Sequence, residues 1–505
     1  MTSQTLTAFF MKQRNWFKPK SFTHITKKLT QNDGEWIKNY VSDPSNIKTH
    51  KFFPLIHRTI VTKRFKGSID RNGRNIKKHH TFIKGVRTPN VKYREIYYPN
   101  HLDAHIYAYY TQKILEPEYE KELKKDARLN ESILAYRHVP LEDKSRGKCN
   151  IDFANEAFDQ IKNSKGEVAV LALDISKFFD SLDHKKLKRA WAHLLGRTDL
   201  DKDHYNIYKS LTQFSYVEMQ SMLTEFGYKH PKQLIQKEVS HFISDGNEFR
   251  NRIKSKGYLK KNPFRRKEQD KDGKEIKTII GIPQGTPISA FLANLYLLEF
   301  DKKILELLKD CVGIYRRYSD DILVICPKHL SYNIETEIYD LIKEFNLIIQ
   351  PLKTQRSYFV DGKLVKGEKP VLYLGFQFDG HRKLLKSASI SKFYRKMKTS
   401  VKFRAYRASL SKKKLKKGFS VDATLHRKKL YTQFSFLGTS RRSIKKRSFF
   451  SYANYASKIM NSPEIQNQLS KGWAILHAEI DKQEKKFDLI KIQKGNGSNP
   501  VKVSI

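Results

Sequence analysis

The stretch Ile314-Tyr315-Arg316-Arg317-Tyr318-Ser319-Asp320-Asp321-Ile322-Leu323-Val324-Ile325-Cys326 decides the fold. Two short apolar or β-branched runs meet at a Ser-Asp-Asp tip, a hairpin pattern with small and acidic residues at the turn. Adjacent carboxylates repel one another, and one taken out of water without a partner is costly. A hard divalent cation such as Mg²⁺ resolves both problems, because it prefers carboxylate oxygens. A solvated turn can also contain Asp-Asp, so the upstream partners decide the matter.

Val168-Ala169-Val170-Leu171-Ala172-Leu173 is a continuous apolar run ending in Asp174. Such a run suits a strand buried on both faces, with the acid presented at its exit. Ile175 to Ser181 turns away, and Asp183 then caps a helix carrying Leu187, Ala190, Trp191 and Leu194 at helical spacing. Further on, Gln284-Gly285 precedes Thr286, read as an N-cap, and Pro287, read as the first helical residue. Ile288, Phe291, Leu292 and Leu295 then mark a core-facing helix. The glycine lets backbone approach a ligand closely.

The flanks set the context. With 505 residues, 39% hydrophobic and 12% aromatic, the chain has core enough for two or three domains and is not a disordered polymer. Lys and Arg number 98 against 52 acids, a net +46 that calls for a polyanionic partner. No membrane is expected: the longest uncharged stretch, Thr278 to Leu298, is broken by Pro283, Gly285 and Pro287, and Met1 to Lys12 lacks a signal-peptide pattern. Cys149, Cys311 and Cys326 have no metal-ligand spacing and read as reduced thiols of a cytoplasmic protein. His79, His80, His101 and His105 read as surface or core residues rather than a zinc site.

Residues 1–90 read as a basic N-terminal extension without periodicity. Tyr93 to Tyr98 alternates like a strand and stops at Pro99, and Asp103 to Leu115 reads as an amphipathic helix. A charged insertion occupies about 200–277 and ends in the turn sequence Asp270-Lys271-Asp272-Gly273-Lys274. Ile334 to Phe345 is a helix, and Leu372 to Phe378 is one alternating strand that turns at Asp379-Gly380-His381 to pair with Lys383 to Leu385. Residues 391–450 hold twenty Lys or Arg, one acid (Asp422) and interleaved aromatics such as Phe403, Tyr406 and Phe419. A solvated face would mix signs, so basic helices on nucleic acid are expected there.

Asp174 with Phe178-Phe179, then Gln284-Gly285-x-Pro287-x-Ser289, then Tyr318-Ser319-Asp320-Asp321, in that order, resemble the palm motifs of reverse transcriptases. Lys353 and Leu374-Gly375 match two later motifs, so the resemblance covers about 90–390. It implies an α+β right-hand polymerase of fingers, palm and thumb. An antiparallel palm sheet backed by helices would span 91–390, and a basic helical thumb-like region 391–505. It implies an RNA-directed DNA polymerase that adds dNTPs to a 3′-hydroxyl with two Mg²⁺ ions, Mn²⁺ being a substitute. Asp174, Asp320 and Asp321 would be the catalytic metal ligands, helped by the backbone carbonyl of Ile175. Lys353 would be a general acid. Arg94, Phe178, Phe179, Gln284 and Gly285 would bind the nucleotide, Phe179 as the gate against a 2′-hydroxyl, with Arg137 a further cation on the triphosphate. Tyr318, Tyr373, Leu374 and Gly375 would hold the primer.

Among reverse transcriptases, the lone basic chain with long flanks looks most like the bacterial "unknown group" and abortive-infection enzymes. That likeness implies antiviral defence, a dedicated non-coding RNA as template, a DNA product and self-assembly into homo-oligomers. The alternatives are an intron- or retron-type reverse transcriptase, an RNA-dependent RNA polymerase, against which Phe179 argues, and a non-catalytic RNA-binding or splicing-assistance protein, which leaves three carboxylates unexplained.

Overall fold

The computed structural model describes residues 15–489 except 64–65, 70–74, 79, 84–85, 144, 270–274, 312, 416–423 and 439–447. The expected turn at 270–274, His79, Phe419, Asp422 and the first twelve residues therefore lie outside the described residues. Helices and sheets are mixed along the chain, which is of the α+β class. The chain divides into two compact units, one of residues 1–137, 173–324 and 330–354, the other of 138–172, 325–329 and 355–505.

In the first unit, the strand Leu55–Lys63, rich in β-branched residues, pairs antiparallel with Val91–Tyr98, Ile56 opposite Tyr98 and Lys63 opposite Val91. It also pairs in parallel with Ser215–Glu218. His57 ties three strands together, its two ring nitrogens each 2.6 Å from a carboxylate, Glu218 and Glu95. Ile56 packs into a core with Ile25, Val217, Leu223, Phe242 and Ile253. Residues before 90 and between 200 and 277 thus supply sheet and core. Sequence periodicity gave no sign of this, because each contributes only short apolar pieces.

The helix expected over Asp103 to Leu115 starts earlier, at His101. It runs to Tyr109, then widens into a π turn over Tyr110–Leu115. It is not amphipathic but buried almost all round, including His101 and His105. Those rings stack on Phe22 and Phe17, at 4.9 and 4.8 Å between centroids. Burial lowers His101 and His105 to about 4 and their neighbour His24 to about 3. The fold thus holds three neutral imidazoles that bind protons readily once unfolded. The stability linked to them is full above pH 6.5 and drains as the pH falls toward 4. Asp180, raised to about 6 by burial, contributes in the opposite sense, its share being lost as the pH rises through 6. Burial also lowers His184 and His204 and raises Asp103 and Asp301, so five imidazoles stand against three carboxyls. The urea midpoint is expected to fall between pH 7 and pH 5, and a flat midpoint would contradict this packing.

The helix after Gln284-Gly285 begins at Ser289, not at Pro287, and ends at Tyr296. Thr286 is no N-cap. Its hydroxyl lies 2.5 Å from that of Ser289, which donates to the Pro283 carbonyl at 2.6 Å, so this polar knot holds the loop and delays the helix. The apolar stripe is buried as expected. Asp183 does cap its helix, His184–Leu194, accepting from the Lys186 amide at 3.1 Å. The Asp-Asp hairpin forms from strands Ile314–Tyr318 and Asp321–Pro327, and Ser331–Glu344 is helical.

In the second unit, residues 167–172 of the apolar strand pair antiparallel with Gln355–Val360. The run 372–378 is not one strand. It folds at Leu374 and Gly375, both at positive φ, into the hairpin Val371–Tyr373 and Phe376–Phe378, which Lys383–Leu385 then joins. A helix spans Ser387–Leu415, with Phe403 and Tyr406 exposed among its cations. Among the described residues no helix is long and apolar enough to cross a membrane.

Candidate active site

Asp174 ends its strand, and three backbone bonds fix the chain around it. The Ile175 amide donates to the Asp320 carbonyl at 3.0 Å, the Ser176 amide to Ile348 at 2.8 Å, and the Gln350 amide to Asp174 at 3.0 Å. The first of these brings the exit of the apolar strand beside the hairpin tip, so Asp174 and Asp320 meet by main-chain pairing rather than by side-chain chance. The Lys353 ammonium donates to Asp174 Oδ1. The backbone of the Asp320 tip and the Lys353 ammonium, both singled out in the sequence, therefore adjoin Asp174. Among the described residues no three His, Cys, Asp or Glu side chains close into a metal-binding group. The donors are nonetheless hard oxygens, and Asp174 already holds a cation in the lysine ammonium, so the residues fit Mg²⁺ or Mn²⁺ in charge and chemistry.

Lys177, at a φ of 44°, swings the chain into the short helix Phe178–Ser181. The two phenylalanines separate here. Phe178 is buried in the core, whereas Phe179 lines a cavity of about 440 Å³ with Gln284, Gly285 and Pro287. The Gln284 carbonyl accepts from the Tyr97 amide at 2.8 Å. Gly285 has a φ of 122°, and a Cβ there would sit 2.7 Å from the Tyr97 carbonyl and 2.9 Å from the Ile96 side chain. Only glycine fits this approach.

Alternation along Val91–Tyr98 puts Arg94 on the face of Ile96, which touches Gly285, and of Tyr98, which lines the cavity. Arg58, opposite Ile96 in the pair, shares that face. Both arginines are exposed. Arg58 was illegible in the sequence because its strand lies in the aperiodic first ninety residues, as do Lys20 and Phe22, which also line the cavity. Arg137 is no triphosphate ligand. Its guanidinium forks onto Glu120 at 2.9 and 2.7 Å and donates to Asn130 and Ile133.

Beneath the tip, Arg317 and Asp301 are fully buried and bidentate, at 2.7 and 2.6 Å, and Tyr315 donates to the same carboxylate at 2.6 Å. Burial disfavours the guanidinium's charge, but Asp301 outweighs it and holds the group protonated above its ordinary value. Tyr318 precedes Ser319 at the end of its strand, and Ser319 is at a φ of 63°. In the second unit, Tyr373 is buried, and the Leu374 carbonyl accepts from Asn150 at 3.2 Å and the Gly375 carbonyl from the Lys386 amide at 3.0 Å.

The motifs and their convergence mark a template-directed polymerase site. The reverse transcriptase (RNA-dependent DNA polymerase) family model matches residues 89–378, and the chain belongs to that family. Among solved structures it is similar to apo telomerase from Candida tropicalis truncated from its C-terminal domain, at 11% identity and a TM-score of 0.36 over 70% of this chain and 59% of that one. It is also similar to telomerase from Candida albicans in complex with a TWJ fragment of telomeric RNA, at 12% identity and a TM-score of 0.35 over 95% and 72%. A comparison with curated proteins gives no match.

Proposed function

We propose that the chain is an RNA-templated DNA polymerase that adds dNTPs to a 3′-hydroxyl. The observation that carries this reading is the main-chain bond that sets Asp174 beside Asp320, with Lys353 on Asp174. Asp174, Asp320 and Asp321, with the Ile175 carbonyl, would hold Mg²⁺, which when bound lowers the 3′-hydroxyl pKa and stabilises the departing pyrophosphate. The chain's own residues orient the reactants. Arg94 and Arg58 face the triphosphate, Gln284 and the Gly285 backbone form the nucleotide wall, and Phe179 packs under the sugar. Lys353 supplies a proton to the leaving group. Tyr318 and the Tyr373-Leu374-Gly375 turn hold the primer. The fingers and palm run over 91–390, with Leu55–Lys63 and Ser215–Glu218 completing the sheet of the first unit, and 391–505 is the basic thumb.

The finer reading is a bacterial defence enzyme of the unknown-group and abortive-infection type, self-assembling, templated by a dedicated non-coding RNA. It is supported by the resemblance of the motifs and by the net charge of +46. Recovering the protein from its host and sequencing the bound nucleic acid tests it. A discrete RNA with complementary DNA that is lost in Asp320→Asn/Asp321→Asn supports it, and RNA without DNA favours a binding role. The gate is tested separately. Phe179→Ala is expected to cut discrimination against rNTPs at least about tenfold, since pocket shape is what excludes the extra hydroxyl. Unchanged rNTP incorporation would remove Phe179 from that role.

A further inference from the structure

Ser319, directly before the two tip carboxylates, is held from both sides by one closed ring of contacts. Arg317 Nη1 donates to the Ser319 carbonyl at 3.3 Å and to Asn294 Oδ1 at 3.0 Å. Asn294 Nδ2 donates to the Ala135 carbonyl at 2.7 Å. The next residue is Tyr136, whose hydroxyl lies 3.1 Å from that of Ser319 and closes the ring. Tyr136 and Ser319 have φ values of 62° and 63°, a backbone region that non-glycine residues occupy only when the surroundings hold them there. Arg317, Asn294 and Ser319 are buried, but Tyr136 is 41% exposed and lines the cavity with Phe179 and Gln284. One side chain thus touches the nucleotide cavity with its ring and the catalytic tip with its hydroxyl.

We propose that Tyr136 is a positioning residue that couples occupancy of the cavity to the placement of Asp320 and Asp321 through Ser319. A base pair entering the cavity presses on the ring. The hydroxyl contact, long for an O–H···O pair, shortens and seats the tip. This rests on the nucleotide-cavity reading above.

Two variants isolate the contact. Tyr136→Phe keeps the ring and loses the hydroxyl. Ser319→Gly suits the positive φ and loses the partner hydroxyl. Each is expected to lower kcat about three- to tenfold, the size of one net hydrogen bond, and to leave the dNTP KM within about twofold. The double variant is expected to lose no more than either single one. Multiplying losses, or an unchanged kcat in Tyr136→Phe, would overturn the proposal. A melting temperature that falls while kcat per folded molecule holds would make the contact merely structural.

Hydrogen exchange of the peptide 314–326 gives a second readout that needs no turnover. In the native sequence, added dNTP with Mg²⁺ should slow its exchange, and both variants should abolish that response. Protection that is equal in all three proteins, or absent in the native one, would also overturn the coupling. Absence of any DNA synthesis with protection intact would instead count against the polymerase reading alone.

Discussion

Asp174→Asn is expected to lower nucleotide addition by a hundredfold to a thousandfold, on the order seen when one preorganised charge is removed from a reaction centre. Asparagine keeps the shape but not the negative charge that pairs with Lys353 and would bind Mg²⁺. The fold should hardly respond. The bond from the Ile175 amide to Asp320 is main chain, and the Asp174–Lys353 pair is partly exposed, so it adds little to stability. Melting curves that overlay those of the native sequence, with synthesis lost, are the expected pair of results. A fall in both together would make Asp174 a structural residue. Lys353→Arg sharpens the point. Arginine keeps the ion pair but does not give up its proton, so a loss of about tenfold or more is expected if Lys353 acts as the acid.

The largest stability effect is expected from Arg317→Ala. It leaves Asp301, fully buried, with the Tyr315 hydroxyl and no counter-charge, and removing one partner of such a pair costs about 3–5 kcal/mol. That is a large share of the stability of an ordinary domain. Asp301→Leu combined with Arg317→Met removes both charges and should recover most of the loss in urea unfolding. Its synthesis should stay low, because the Arg317 donation to the Ser319 carbonyl beneath the tip is then lost. If the double variant were fully active, the tip would not depend on Arg317.

Much of the site was legible because its parts are local. An apolar run ending in Asp174, an Asp-Asp tip between two strands and a Gln-Gly before a helix each declare themselves within about a dozen residues. What the sequence concealed is what is assembled from a distance. Arg58 joins the arginine face only through cross-strand pairing with Ile96. Lys20 and Phe22 reach the cavity from a segment without periodicity. Tyr136 meets Ser319 across 183 positions. Three boundaries differ from the sequence pattern for physical reasons. Thr286 bonds to Ser289 instead of capping the helix, the Asp103 helix is buried almost all round and so has little polar face to mark its ends, and Leu374 takes a positive φ that leucine seldom signals. Arg137 resembles a free cation in the sequence because Glu120, its partner, lies seventeen residues away.

The most direct test is extension of a DNA primer on a homopolymeric RNA template, with Mg²⁺ and the complementary labelled dNTP, by the full chain and by Asp320→Asn/Asp321→Asn. Stepwise primer growth is predicted with the native sequence and none with the variant, at equal RNA binding. Equal growth with both proteins, or RNA binding with no growth by either on any template, would contradict a polymerase built on these carboxylates.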